Sequence, residues 1–343
     1  MIKNKKLFIF RFLLFAGTAI SLYFVPWTVV SAWIKPLPDT IEEQLEQTVD
    51  YGFAGAIVYV DQKGKEPQFY AAGYHNKERK IPAYPQAYFK IASITKLYVA
   101  VCITKLVANG KLSLDGTVAQ YFPEMDGKIK NAKEITVRMM VQHRSGIPNY
   151  TNIPTFWSNP PDSDDKILEL VYNEPASFEP DTDYEYSNTN YLLLGRLIDK
   201  YSGKYMMEFA KERIFNRLNL THTFNGANDV PKDSIMSGYY VGIDKDFKMD
   251  NVGPVATAED VGIFLRALNE GSVFDQGEKE IYSSIYVYNH TGLVPGYQSI
   301  AEYHKDLDAV VIQFTNTTDF NGYEWNLSQV GYGRVIDILK KNQ

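Results

Sequence analysis

Apolar positions fall into three patterns along the chain. Between Phe12 and Ile34 they run for 23 residues without a charge (FLLFAGTAISLYFVPWTVVSAWI), the length a helix needs to cross a bilayer core. Residues 41–51 (IEEQLEQTVDY) space their apolar positions as an amphipathic helix does. Ala54–Val60 (AGAIVYV) and Gln68–Ala72 (QFYAA) read as strands around the turn DQKG. The middle turns helical. Ile94–Ala108 is an apolar run without Gly or Pro, stopped by Asn109–Gly110, and helical patterns follow over Asn190–Tyr201 and Met206–Leu218. Strand patterns return at Ser284–Tyr288, Ser299–His304 and Ala309–Phe314, and residues 326–340 predict a closing helix. Strands at both ends with helices between them predict an α+β fold. One antiparallel sheet is built from both chain ends and flanked by helices, with a central, mainly helical insertion over about 95–275.

Charge divides the chain. Residues 1–34 carry Lys3, Lys5, Lys6 and Arg11 and no acid, whereas the remainder is acidic enough to bring the net charge to −6. Basic residues ahead of an apolar run keep the amino terminus in the cytoplasm and export the downstream body. The organisation expected is a membrane helix or signal segment over 1–34, a two-proline linker over 35–40 (KPLPDT), and one catalytic domain over 41–343. An uncleaved anchor is one reading, with Tyr23, Trp27 and Trp33 as interfacial residues; a signal peptide cut after Ala32, with Val30 at −3, is the other and would give a secreted body. The single cysteine, Cys102, excludes an internal disulfide framework, and no HExxH pair occurs among the five histidines. An acidic body without a basic stripe argues against a nucleic-acid partner.

Three short motifs carry candidate chemistry. In Ser93-Ile94-Thr95-Lys96 a helix start near Ser93 would put hydroxyl and amine on one face, one turn apart. The amine can then take the proton that a serine nucleophile must lose, beside helix N–H groups that favour an oxyanion. The spacing is not specific: Ser163-Asp164-Asp165-Lys166 repeats it as a plain helix cap. In Tyr186-Ser187-Asn188 a tyrosine with its pKa lowered by a nearby ammonium could act as base. Tyr74-His75-Asn76 and Tyr150-Thr151-Asn152 share that pattern. In His290-Thr291-Gly292 a strand ends before a Pro-Gly turn, and Gly292 would let a substrate backbone approach closely. Each motif alone also reads as a cap, a packed tyrosine or a hairpin end.

Taken in order, the three motifs resemble the serine β-lactamases of class C and the related D-alanyl-D-alanine carboxypeptidases and esterases. ITVRMMVQHRSGIPNY (135–150), YSNTNYLLLGRLIDKYSGK (186–204), ERIFNRLNLTHT (212–223) and VGPVATAEDVGIFLRAL (252–268) extend the likeness over roughly residues 41–340. The resemblance implies Ser93 as the acylated nucleophile and Lys96 and Tyr186 as the groups that move its proton. It implies Asn188, His290, Thr291 and Gly292 as substrate contacts, and the N–H groups of Ser93 and Leu293 as the oxyanion hole. It implies no metal or organic cofactor. The substrate expected is a small D-Ala-D-Ala-type peptide, with a β-lactam, a small ester or a D-amino-acid amide as alternatives. That places the body outside the cytoplasm, near peptidoglycan. A non-catalytic wall-binding or sensing protein of the same fold is the competing class, although only about 11 residues precede the apolar run.

Two departures from the family pattern stand out. His290 occupies a position where many β-lactamases have lysine, and a mostly neutral imidazole holds a substrate carboxylate weakly. Asp181 follows proline where glycine is common. Cys102 and His143 read as packing residues, and Asp181, Asp183 and Glu185 as a solvated charged loop. No GxSxG elbow is present, so an α/β-hydrolase fold is not supported.

Overall fold

The computed structural model describes residues 2–250 and 253–342. Residue 252, where the fourth family-like segment begins, lies outside the described residues, as do the side chains of Lys3 and Lys6.

Short, mostly apolar β-rich runs near the two ends of the chain build one antiparallel sheet. Its strands are β1 (Gly55–Gln62), β2 (Gln68–Asn76), β3 (Ile81–Pro82), β4 (His290–Val294), β5 (Tyr297–His304) and β6 (Ala309–Thr315). Their order is β3-β2-β1-β6-β5-β4. The two ends meet where β1 pairs with β6, with Tyr59 opposite Ile312. The principal helices are α1 (Ile2–Tyr23), α2 (Trp27–Ile34), α3 (Ile41–Asp50), α4 (Thr95–Ala108), α5 (Asn188–Ser202), α6 (Ala258–Glu270) and α7 (Glu324–Lys341).

The period of two sends successive side chains to opposite faces. Val58, Val60, Ile300 and Val311 bury against Leu45 of α3 and Val335 of α7. Ile57, Tyr59, Ala301 and Ile312 face the larger core, which holds α4, α5 and α6. The helix expected over 41–51 starts where Thr40 accepts a hydrogen bond from the Glu43 N–H, a cap of about 1 kcal/mol. The helical middle is as expected. Strands too short to show a period join it to its flanks: Phe89–Lys90, Thr223–Phe224 and Val255–Ala256 form a small sheet, and Thr317–Thr318 pairs with Tyr239–Tyr240.

Two expectations are corrected. Ser284–Tyr288 is not a strand; the strand begins at His290. Side chains take the backbone groups that a ladder would have used. Gln142 donates to the Ser284 carbonyl, Tyr282 Oη to that of Val287, and Asn269 to that of Tyr288.

The single membrane helix expected over 12–34 is also not formed. The apolar run breaks before Pro26 into Leu7–Tyr23 and Trp27–Ile34, bent by 79°. Proline has no N–H to continue the ladder and its ring clashes with the preceding turn. Among the described residues no single helix is long and apolar enough to cross a membrane. The second half, α2, instead rests on the body: Ala32 is buried with Phe53 and Leu327.

Residues 35–40, read as a linker, are tied to α7. Arg334 of α7 is buried and donates to the carbonyls of Lys35 and Pro36, each at 2.7 Å, and to Gln44 Oε1 at 2.7 Å.

Candidate active site

The chain turns abruptly just before Ser93. Ala92 has φ +49°, a left-handed conformation that non-glycine residues rarely adopt. Such strain, of order 1–3 kcal/mol, persists where the surroundings over-determine it. Here it redirects the chain from the strand Phe89–Lys90, through a 3₁₀ turn over Ala92–Ile94, into α4. Gly292 of β4 lies against this turn. A Cβ on Gly292 would sit 2.5 Å from the Ile91 carbonyl oxygen and 3.0 Å from the Ala92 Cβ. The missing side chain admits the nucleophile's own turn.

The first two motifs meet here. Lys96 Nζ lies 3.1 Å from Ser93 Oγ and donates to Asn188 Oδ1 at 2.8 Å. Tyr186 Oη donates to Ser93 Oγ at 2.8 Å. The Lys96 nitrogen also sits over the rings of Tyr186 and Tyr191, 4.9 and 5.2 Å from their centroids.

Burial sets the protonation states. It lowers the Lys96 pKa from 10.5 to about 7. It raises the Tyr186 phenol well above its ordinary range, with the hydrogen bond to Ser93 pulling the other way more weakly. The expectation of a tyrosine with lowered pKa is therefore corrected. The ammonium that would stabilise a phenolate is itself desolvated, so Tyr186 stays a phenol and Lys96 is the group ready to accept a proton.

The third motif closes the site. His290 Nδ1 lies 2.5 Å from the Thr291 carbonyl, which can only accept, so this nitrogen carries the proton. Nε2 then accepts from Tyr286 Oη at 2.9 Å. Burial, helped by Lys96, lowers the His290 pKa to about 4. The ring is neutral with both nitrogens committed. Thr291 follows on the same strand, half-buried. The two-residue turn Pro295–Gly296 makes Val294 and Tyr297 the closing pair, so alternation puts Gly292 in the ladder and turns the Leu293 N–H outward. That outward edge is free because β4 ends the sheet. A cavity of about 430 Å³ opens beside the site, lined in part by Tyr184, Tyr186, Ile285, Tyr286, Val287 and His290.

Several residues that complete the site were not singled out by their motifs. Asn149 Oδ1 accepts from the Asn188 N–H at 3.0 Å and from Asn188 Nδ2 at 3.3 Å. Thr151 Oγ1 accepts from Asn188 Nδ2 at 3.1 Å. Asn188 thus holds the lysine with its oxygen while its amide nitrogen is tied to the 149–151 turn. The available signal was PNYTN itself, one of the two spare Tyr-x-Asn patterns. The other, Tyr74-His75-Asn76, lies on β2, where Asn76 bonds Ser237. Ser163 is a plain cap, accepting from the Lys166 N–H. Cys102 is buried with its pKa pushed up to about 12, which keeps it an inert thiol. Asp181 has φ +62°, which accounts for the glycine common there, and it pairs with Arg144. His143, read as packing, lies with its ring on Tyr186.

A sequence profile described as Beta-lactamase matches residues 32–284. The chain belongs to the beta-lactamase family. Its structure is similar to D-amino acid amidase from Ochrobactrum anthropi SV3, with a TM-score of 0.76 and 25% identity over 88% of this chain and 98% of that one. It shares its fold with a penicillin binding protein from Bacillus halodurans (TM-score 0.73, 20% identity, 86% and 99% covered). In sequence it is 27% identical over 203 residues to a Bacillus subtilis (strain 168) protein named N-acetylmuramyl-L-alanine amidase, covering 53% of this chain and 45% of that one. It is 25% identical to Protein flp of Staphylococcus aureus (strain N315), covering 57% and 41%. The matched region therefore spans less than half the length of these two relatives. Family and neighbours together make this beta-lactamase-family chain a serine hydrolase.

Proposed function

We propose that this chain hydrolyses small amides and peptides of D-amino acids through an acyl-enzyme on Ser93, without a charged grip on a free substrate carboxylate. The carrying observation is the neutral His290, whose ring nitrogens are both engaged by Tyr286 and the Thr291 carbonyl. The likeness to D-amino acid amidase supports the substrate class.

In this reading neutral Lys96 takes the Ser93 proton as Oγ attacks the substrate carbonyl carbon. The N–H groups of Ser93 and Leu293 hold the oxyanion. The Tyr186 phenol protonates the leaving nitrogen, and Lys96 restores the phenol's proton. Water then attacks the acyl-enzyme ester, giving up its proton along the same route and releasing the acid and Ser93. Asn188, Thr291 and Gly292 shape the place where the acyl group lies.

A second reading is D-Ala-D-Ala carboxypeptidase or penicillin-binding activity at peptidoglycan. The basic amino terminus ahead of 23 uncharged residues favours it, because that pattern exports the body. Under both readings we propose an extracytoplasmic hydrolase held at the membrane by the apolar residues of its amino-terminal segment ahead of α2.

The test is intact-mass analysis of the full chain with penicillin, beside turnover of D-alanine amide and of an acylated D-Ala-D-Ala peptide. The expected result is a serine adduct absent in Ser93→Ala, with the amide preferred over the carboxylate-bearing peptide. His290→Lys should shift that preference toward the carboxylate by about tenfold. A wild-type preference for the free carboxylate would favour the second reading. Fast loss of penicillin without an adduct would make the chain a β-lactamase. No adduct and no turnover would overturn the acyl-enzyme assignment.

A further inference from the structure

We infer that His143 is a positioning residue that holds Tyr186 and Asn188 in register with Ser93. The inference rests on the Ser93 acyl-enzyme reading, but its geometry is independent of the substrate. The His143 ring lies on the Tyr186 ring, centroids 4.4 Å apart and planes 28° from parallel. Its Nδ1 accepts the N–H of Ser187 at 3.1 Å. Its carbonyl accepts the N–H of Glu185 at 3.1 Å. One residue therefore grips the chain on both sides of Tyr186 and covers the tyrosine between. Ser187 leads directly into Asn188, whose oxygen receives Lys96.

This grip is held in an unusual conformation. His143 has φ +58°, in the left-handed region. Neighbouring bonds enforce it: its own N–H reaches the Met140 carbonyl at 3.2 Å, and the Arg144 and Gly146 carbonyls accept from Asp181 and Ser177, each at 2.9 Å. Because Nδ1 accepts, the ring proton sits on Nε2, and that buried nitrogen has no partner. A strained backbone and an orphaned donor on one residue are both unfavourable, and such combinations gather where geometry serves a reaction. Packing alone does not explain the choice. Phenylalanine would cover Tyr186 but could not accept from Ser187. Asparagine would accept from Ser187 and tolerate the left-handed turn, but would leave Tyr186 uncovered.

The ring has to stay uncharged to do this, since protonation of Nδ1 would remove the Ser187 bond. The titratable groups around it are Tyr184, Tyr186 and Tyr191, whose rings it faces, and Lys96 and His290, which oppose a positive charge on it. Burial is the largest influence, and the His143 pKa falls to about 3.

The test compares full-length His143→Phe and His143→Asn with wild type. D-alanine amide serves as substrate, kcat and KM are followed against pH, thermal unfolding is recorded, and both variants are crystallised. Each variant should lose kcat by about tenfold to a hundredfold while KM stays within about threefold, the pattern of misplaced catalytic groups. In His143→Asn the acid limb of the pH profile should move upward, because water reaching Lys96 weakens the burial that lowers its pKa. In His143→Phe that limb should stay in place. The crystals should show the Tyr186–Ser93 contact lengthened from 2.8 Å beyond hydrogen-bond reach. Losses that follow only the fraction unfolded, with pH profile and contact unchanged, would overturn the inference. The crystallographic measurement decides it even if D-alanine amide is not turned over, an outcome that would count against the substrate reading alone.

Discussion

Gly292 and Ile91 touch backbone to backbone: a methyl group on the first would stand 2.5 Å from the carbonyl oxygen of the second. Ser299 Oγ donates to the same oxygen at 3.3 Å. The edge strand and the nucleophile's turn are thus locked together, and the distance between Ser93 and the Leu293 N–H depends on that lock.

Gly292→Ala should separate the two. The methyl group would meet the Ser299 hydroxyl, the Ile91 carbonyl and the strained Ala92, and turning the hydroxyl away would leave the other two obstacles in place. The expected loss in kcat is about a hundredfold, comparable to removing an oxyanion donor, with the protein still folded by circular dichroism. Retention of full kcat would show that the strand and the turn are not coupled.

The pH dependence should report Lys96. Its pKa of about 7 predicts that kcat/KM rises with pH, is half-maximal near pH 7, and falls about tenfold per unit below that. His143 and His290 titrate near 3 and 4 and add nothing in this window. Lys96→Arg should abolish the limb and lower the rate by about a thousandfold. A limb that instead appeared far into the alkaline range would make Tyr186 the base. Linkage gives an independent check. The folded state holds Lys96 at a lowered pKa, so its destabilisation is fully present below about pH 7 and disappears as pH rises toward 10.5. Lys96→Met should unfold at a higher temperature than wild type at pH 6, and the gap should close across that window.

Arg334 ties the amino-terminal segment to the body. Arg334→Met keeps the stem and removes three donors to Lys35, Pro36 and Gln44. Stability should fall by about 2–3 kcal/mol, or roughly 5–10 °C in Tm. Limited proteolysis should open residues 35–40 while kcat stays within about twofold, since α7 packs on the sheet face opposite the Ser93 helix. Unchanged protease resistance would show that α2 packing alone holds the segment.

The strands over 54–60, 68–72, 299–304 and 309–314 were legible as short β-rich runs bounded by turn residues, and the helix 94–108 because Asn109–Gly110 stops it. Ser284–Tyr288 was misread because its apolar tyrosines pack without a ladder. Side chains distant in sequence, such as Gln142 and Asn269, satisfy its carbonyls instead. The break at Pro26 was written in the chain, but the burial of Ala32 on α7 was not, since the contact joins residues about 300 apart.

By itself the sequence carried the motifs on which the family resemblance rests, with Ser93, Lys96, Tyr186, Asn188 and His290 as candidate site residues, because motif spacing along a helix or strand is a local property. Only the tertiary structure decided their states. The depth that lowers Lys96 to about 7, the phenol that Tyr186 keeps, the neutrality of His290 and the grip of His143 all arise from groups brought together across the fold. Desolvation and hydrogen-bond closure depend on everything that surrounds a group, and no stretch of sequence contains those surroundings.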